Sequence, residues 1–287
     1  MELSLVILSF TTDVNSSAIL ANVINSFQNH TKVSYEIIVI ESGELEKAKV
    51  IVPEEVILKQ YIGDSFNFHR ALNQGLQMAS GKRICFTNND VVFYSNWYST
   101  LSKVMVDYHL HLASPVDPTD DKLWMYDKKG VDCIIGYEIQ KHFKGWCFVA
   151  EKSVFKKIES FDEDFDFYWA DNDFILEVLR ANLRHGVALN SRVKHLDKIK
   201  ELELKKIDLL QSKLGSLYNQ IPDYILKRNE FWKIQNKRMV RGLISYHKKW
   251  GNPRVLNKRI KLASHLQKIN LGFLNRIVLY RKYVRKK

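Results

Sequence analysis

Cysteine, proline and glycine are scarce in this chain, with 3, 5 and 12 copies among 287 residues. Cys85, Cys133 and Cys147 are scattered and form no C-x-x-C pair. That excludes a disulfide framework and a cysteine zinc site, and it leads us to expect reduced thiols in a cytosolic setting. Breaks are few; the clearest are Pro222 and Gly251-Asn252-Pro253. Internal repeats and low-complexity tracts are absent. No apolar run reaches the ~18 residues of a membrane-spanning helix. The opening MELSLVILSF has no basic stretch and only a short apolar run, so it is expected to be neither signal peptide nor span. Acids are scarce in one place only. Lys227 to Lys287 holds 19 Lys/Arg and one acid, Glu230, a charge of +18; with +12 overall, the preceding residues sum to −6. A mildly acidic body with a basic tail implies an anionic partner for the tail. Hydrophobic content of 46% is that of a soluble globular protein, and the length allows one large domain plus an appendage, or two domains.

Apolar runs Leu3–Phe10, Tyr35–Ile40, Val56–Leu58 and Ile84–Phe86 read as strands. Ser16–Asn29 and Ser65–Ala79 have helical spacing between them, the first with Ile19, Leu20, Val23, Ile24 and Phe27 on one face and Ser16 or Ser17 as cap. Strands alternating with helices predict an α/β fold with a mainly parallel, doubly wound sheet. Right-handed crossovers then bring the ends of strands 1, 2 and 4 to one rim. Further on, the spacing predicts a helix over Ser95–Val106, an irregular stretch over Pro115–Lys129 and a strand over Lys144–Ala150. A helix over Asp171–Ala181 and a short strand over Gly186–Leu189 lead to His195. After Lys200 the chain reads as helical and increasingly basic.

The central strand stops at Asn88-Asn89-Asp90 before a second apolar run, VVF. Ligands of open α/β sheets bind beyond the carboxyl ends of the strands. One carboxylate and two carboxamides there make an oxygen-rich site of the kind Mg²⁺ and Mn²⁺ prefer, phosphate oxygens filling the other positions. A plain Asx-rich turn is the bland alternative. Later, Trp169-Ala170-Asp171-Asn172-Asp173 puts two carboxylates at a helix start. One can act as a general base while the other caps, or both can simply favour the helix N-terminus. Arg70 and Lys82 are candidate diphosphate contacts. Trp146 and the cluster Phe165, Phe167, Tyr168, Trp169 are candidate sugar platforms or, as is commoner, core.

The elements VILSFT, EIIVIESGE, FNFHRALNQGLQMASGK, ICFTNNDVVF, GWCFVAEKSVFKKIESFDEDF, YWADNDF and the late His195 follow one another in order. In this the chain resembles the GT-A glycosyltransferases of family 2 over about its first 195 residues. The resemblance implies a Rossmann-like catalytic domain over 1–198, with nucleotide-sugar binding in about 1–95 and the acceptor side in about 96–198. A basic helical region, 199–287, follows. It implies a nucleotide-diphosphate sugar as donor and a divalent metal, Mn²⁺ or Mg²⁺, held by Asp90 and His195. Ser9 to Thr11 would form the first nucleotide-binding turn, Glu41 would meet the base, Asn89 the ribose, and Asn88 stands where the family has a further acid. Asp171 matches the family's catalytic base, with Ala170 where a glutamate often stands, and transfer would proceed with inversion. Trp146, Trp169 and Asp173 are assigned to the acceptor side.

The acceptor expected is a hydroxyl of a glycan or lipid-linked molecule, as in polysaccharide biosynthesis. Leu274–Val284 interleaves apolar and basic residues; such a segment either lies on an anionic membrane at its inner face or packs as a helical subdomain. Two other classes remain: a GT-A-like protein that binds donor or glycan without catalysis, and a basic nucleic-acid-binding protein. No motif for specific nucleic-acid recognition is present.

Overall fold

The computed structural model describes residues 1–120, 130–139, 141–196, 215–221 and 237–282. Part of the irregular stretch, 121–129, the break at Pro222, the helical reading over 200–214 and the end of the Leu274–Val284 segment lie outside them. The chain divides into two compact units. One comprises Met1–Phe66, Arg70–Phe161 and Leu183–Asp197; the other comprises Asn67–His69, Asp162–Asn182 and Lys198–Lys287. The units do not follow the division at 198 read from the sequence, because residues 162–182 group with the C-terminal helices.

In the first unit, β1 (Leu3–Ser9) is buried at every position, which requires cover on both faces. β2 (Tyr35–Glu41), β3 (Ile57–Gln60) and β4 (Arg83–Asn88) join it in parallel, in the order β3-β2-β1-β4. Helix α1 (Val14–His30) crosses from β1 to β2. Its cap is Asp13, one turn earlier than the serines suggested: Asp13 Oδ1 accepts from Ser16 N at 2.8 Å and Ser16 Oγ accepts from Asp13 N at 2.9 Å. Leu20, Val23, Ile24 and Phe27 face inward, whereas Ile19 is exposed. The short α2 (Leu45–Lys49) precedes β3, and α3 (Phe68–Met78) leads into β4.

Beyond β4 the sheet is mixed. β5 (Val91–Phe93), β6 (Leu112–Val116), β7 (Cys133–Ile135), β8 (Cys147–Glu151) and β9 (His185–His195) continue it as β4-β8-β6-β9-β5, with β7 also on β9. β8 runs antiparallel to β4 and β6, and β5 and β7 antiparallel to β9. Parallel order thus holds over the amino-terminal half. β6 and β7 were not legible as strands because they are short and their sequences, LASPV and CII, lack alternation.

β4 divides the core by its pleat. Cys85 joins the layer of α1 and α4 (Trp97–Asp107), where Phe27, Phe93 and Trp97 form an aromatic cluster. Phe86 points the other way, 5.3 Å from both Phe148 and Phe161. Each such ring stabilises the fold by about 1.5–3 kcal/mol through burial. α5 (Lys152–Ile158) covers that face with Phe155.

The second unit is built on α6 (Ala170–Arg180), α7 (Lys237–Trp250), α8 (Pro253–Lys268) and α9 (Asn275–Val278). α7 carries Gly242 where it crosses the residues before α6; a Cβ there would stand 2.3 Å from Tyr168 O, so no larger residue fits without displacing the backbone. Asn252 caps α8, with Pro253 in its first turn. Asn275 is buried and its amide donates to Leu179 O at 2.9 Å, tying α9 to the end of α6.

Candidate functional site

Three strand ends stand abreast in the first unit. Ser9 pairs with Glu41 across β1 and β2, and Leu8 with Asn88 across β1 and β4. This is the rim expected from right-handed crossovers. Glu41 is fully buried there. Its Oε1 accepts from Thr11 N at 2.8 Å and Gly43 N at 2.6 Å, and its Oε2 from Thr11 Oγ1 at 2.8 Å. Ser9 O accepts from Ser42 N and from Ser42 Oγ, both at 2.8 Å. A Cβ on Gly43 would lie 2.3 Å from Thr11 O, so glycine is required for this close approach. Glu41 therefore knots the two turns together with both its oxygens engaged, where the resemblance assigned it to the base.

The second arm of the rim is Asn88-Asn89-Asp90. Asn88 N donates to Trp146 O at 3.0 Å, and Asp90 O accepts from Leu196 N at 2.7 Å. Directly after the motif, Val91 pairs with His195. That antiparallel pairing of β5 with β9 brings together two residues 105 positions apart in sequence: Asp90 Oδ1 and His195 Nε2 are 3.3 Å apart. Both atoms are buried, and neither has a hydrogen-bond partner. Buried polar atoms are almost always paired, and leaving one unsatisfied costs about 1–3 kcal/mol.

Two features hold His195, one at its ring and one at its backbone. The Trp146 ring stacks on the imidazole, with centroids 5.2 Å apart and planes 15° apart. His195 N donates to Asp117 Oδ2 at 3.0 Å, and Asp117 Oδ1 accepts from Thr119 N and Oγ1. Trp146 O also accepts from Thr87 Oγ1 at 3.0 Å. Trp146, expected on the acceptor side, thus lies against His195 in this structure. Asp117 was missed in the sequence because it sits in a stretch read only as irregular; its one signal is a carboxylate held between Val116 and Pro118.

The oxygen–nitrogen pair fits a hard divalent cation. Ligands at about 2.1 Å on neighbouring corners of an octahedron are about 3.0 Å apart, close to the spacing found. Among the described residues no group of three or more His, Cys, Asp or Glu could hold a metal. A two-residue site is the usual one for Mg²⁺-type ions, which keep water and phosphate oxygens as their other ligands.

The remaining candidates are dispersed. Ser9 and Thr11 are buried, their hydroxyls 3.2 Å apart. Asn89 is half-buried at the rim, and Arg70 is half-buried in the first turn of α3. Lys82 immediately precedes Arg83 at the amino end of β4, about 20 Å of strand away from Asn88, so it cannot serve the rim.

In the second unit, α6 begins after Trp169, whose φ is +69°. A bulky residue in that region is rare and costs on the order of 1–3 kcal/mol. Its ring lies 5.0 Å from that of Tyr246 on α7. Asp171 is half-buried in the first turn of α6. Asp173 follows two residues later, about 200° round the helix, and is fully turned inward. It is 1% exposed; its Oδ1 accepts from Trp250 Nε1 at 2.8 Å and its Oδ2 from Lys249 Nζ at 2.9 Å. Lys249 also meets Asp162 at 2.6 Å and Glu177 at 3.1 Å, and Arg281 closes on Glu177 at 2.6 Å. Asp173 is therefore a buried brace between α6 and α7, and its assignment to the acceptor side is corrected. Burial pushes Lys249 down, but Asp173, Glu177 and Asp162 together outweigh that and raise its pKa. Phe165 is core, whereas Phe167 is exposed with the Arg238 guanidinium 5.3 Å above its ring.

Residues 6–155, just over half the chain, match the model of the family described as Glycosyl transferase family 2. Asp171 and His195 lie beyond that segment. Among solved structures, the crystal structure of GalNAc-T7 with UDP, GalNAc and Mn²⁺ is similar, with a TM-score of 0.56 and 14% identity. The match covers 76% of this chain and 49% of that one, so the chain spans about half the length of this relative. No protein of curated function matches the sequence. At that identity the likeness bears on the fold, which is GT-A. The family match carries the rest: the chain belongs to glycosyl transferase family 2.

Proposed function

We propose that this protein transfers a sugar from a nucleotide-diphosphate sugar to a hydroxyl of a glycan or lipid-linked acceptor, with inversion at the anomeric carbon. The observation that carries the proposal is the unsatisfied pair Asp90 Oδ1 and His195 Nε2 at the carboxyl rim. A Mn²⁺ or Mg²⁺ ion held there would neutralise the leaving diphosphate. Asp90 and His195 would hold the ion; Trp146 stacks on the imidazole and Asp117 holds the backbone of His195. Asn88, Asn89 and Arg70 line the donor's approach, and the knotted turns at Ser9–Thr11 and Glu41–Gly43 present backbone to the nucleotide. Asp171 takes the proton of the acceptor hydroxyl, and Trp169 offers its ring to the acceptor.

The test is a donor screen with divalent metal, scoring nucleotide release for wild type, Asp90→Ala and Asp171→Asn. Asp171→Asn should retain donor binding and lose turnover by about 10²–10⁴-fold, the usual contribution of a general base. Unchanged turnover in that variant would remove the base assignment. Asp90→Ala should abolish metal-dependent nucleotide binding, and tight binding there would remove the metal pair. One observation favours a second reading, a donor-binding protein without catalysis. Ala170 is buried where the family often has a glutamate, and Asp173 is engaged by Lys249 and Trp250. Donor binding by wild type with no release at any acceptor would select that reading.

A further inference from the structure

Helix α8 carries two apolar lines, and the fold uses one of them. Leu256 and Ala263, seven apart, face inward and are 2% and 0% exposed. Val255, Leu262 and Ile269 are also seven apart, and a heptad drifts only about 20° on a helix, so they form a second line. They are 52%, 49% and 49% exposed. That line sits about 100° round the helix from the inward one. Apolar exposure continues past the helix at Phe273 and Ile277, 67% and 72% exposed.

The charge beside this line has one sign. From Pro253 to Lys282 there are eight Lys/Arg and no acid. Two of them are taken up within the unit: Arg259 donates to the carbonyls of Trp250, Val278 and Tyr280, and Arg281 pairs with Glu177. Arg254, Lys258, Lys261 and Lys268 are exposed on the outward face, directly flanking Val255, Leu262 and Ile269. Because Arg259 ties α8 to the chain beyond α9, this face is held outward by the fold.

We infer that the outward face of α8 docks on an anionic lipid bilayer, the apolar line entering the headgroup boundary and the lysines and Arg254 meeting lipid phosphates. An exposed apolar stripe edged by Lys and Arg is the pattern of a helix lying in a membrane interface. Two other occupants fit less well. A nucleic acid would satisfy the cations but leave the apolar line in water. A second copy would bring like charges face to face across an acid-free surface. No helix among the described residues is long and apolar enough to cross a membrane.

The experiment uses the full chain without donor or acceptor, so its failure leaves the transferase reading untouched. Co-sedimentation is measured with vesicles of phosphatidylcholine alone and with vesicles containing about one third phosphatidylglycerol. Wild type should bind the anionic vesicles and leave the neutral ones. Leu262→Ser with Ile269→Ser should weaken that binding by roughly tenfold or more, at unchanged far-ultraviolet dichroism, since both residues are exposed. Lys258→Glu with Lys261→Glu should weaken it by roughly a hundredfold. Val106→Ser, which removes an exposed apolar residue of α4, should bind as wild type does. Binding to neither vesicle, or equally to both, overturns the proposal. So does binding to a random DNA duplex that the serine pair leaves unchanged while vesicles are ignored. A concentration-dependent dimer that the serine pair dissolves, again without vesicle binding, assigns the face to a second copy instead.

Discussion

Asp90 and Asp173 both come from short polar runs beside aromatic residues, and the sequence offers each as a site residue. In the structure their oxygens end in opposite states. Asp173 accepts from Lys249 and Trp250, and its neighbours Asp162 and Glu177 share the same ammonium. Asp90 Oδ1 faces His195 Nε2 at 3.3 Å with no hydrogen bond, and the imidazole nitrogen is equally unsatisfied. In the first arrangement both oxygens of Asp173 are engaged by protein donors. The second retains a buried oxygen and nitrogen with no hydrogen-bond partner, which is what the proposed cation would use. An acid is a credible ligand-binding group when its lone pairs remain available, and that is a property of its surroundings, not of its position in a motif.

The comparison is broken most forcefully by removing the cation from the completed cluster. Lys249→Met would leave Asp162, Asp173 and Glu177 buried together without the ammonium they share, while Glu177 keeps its pairs with Arg281 and Arg180. Breaking a buried ion pair by deleting one partner costs about 3–5 kcal/mol. The loss should be read as faster amide hydrogen exchange in α6 and α7. Exchange in those helices that stays as slow as in wild type would mean that Lys249 is replaceable and the cluster is no brace. Adding Asp173→Asn and Asp162→Asn to the variant should recover part of the loss, because the uncompensated charges then disappear.

The same contrast shows how far the sequence could be read. The rim of β1, β2 and β4 was legible because long apolar runs end on Thr11, Glu41 and Asn88, and periodicity with crossover handedness is enough to align such ends. The Asp90–His195 pair was legible only through resemblance, since it depends on antiparallel pairing between β5, a three-residue strand, and the last residues, Val193 to His195, of an eleven-residue one. What Asp173 does was not legible at all. Its partners lie 76 and 77 residues away on a helix that reads only as part of a basic tail with an anionic partner. Charge counting could not tell that Lys249 and Arg281 point inward, because burial of a charge is decided by tertiary packing. The bonds of Glu41 were illegible for the same reason: its oxygens meet Thr11 and Gly43 through a turn that composition does not encode.

His185 sharpens the comparison from inside the first unit, as a buried histidine that is satisfied where His195 is not. Its Nδ1–H donates to Gly136 O at 2.8 Å and its Nε2 accepts from Ser114 Oγ at 3.0 Å. Burial, the largest cause, drives its pKa from 6.5 down to about 4. A pKa depressed in the folded state means that the unfolded chain binds the proton first. Stability is therefore intact above about pH 6.5 and falls as the pH drops towards 4, by at most about 3 kcal/mol. Urea midpoints at several values across that window should decline, and His185→Gln should flatten the decline while lowering the plateau. A midpoint independent of pH between 7 and 4.5 in wild type would show that His185 does not titrate as its burial requires.

The smallest expected effect has the opposite sign and bears on the unsatisfied pair itself. Asp90→Asn removes a carboxylate whose Oδ1 lacks a hydrogen bond and supplies an amide able to hydrogen-bond the imidazole. Without divalent metal, the variant should unfold at the same denaturant concentration as wild type, or be more stable by up to about 1 kcal/mol. Wild type should gain stability as Mn²⁺ is added with a nucleoside diphosphate, because a ligand that binds only the folded state stabilises it by mass action, and the variant should lose that gain. Substitution of a structural acid such as Asp173 cannot give this combination, since it would lower stability whether or not metal is present. A metal-free loss of about 2 kcal/mol or more on Asp90→Asn would place Asp90 with the completed cluster and leave the rim without its cation site.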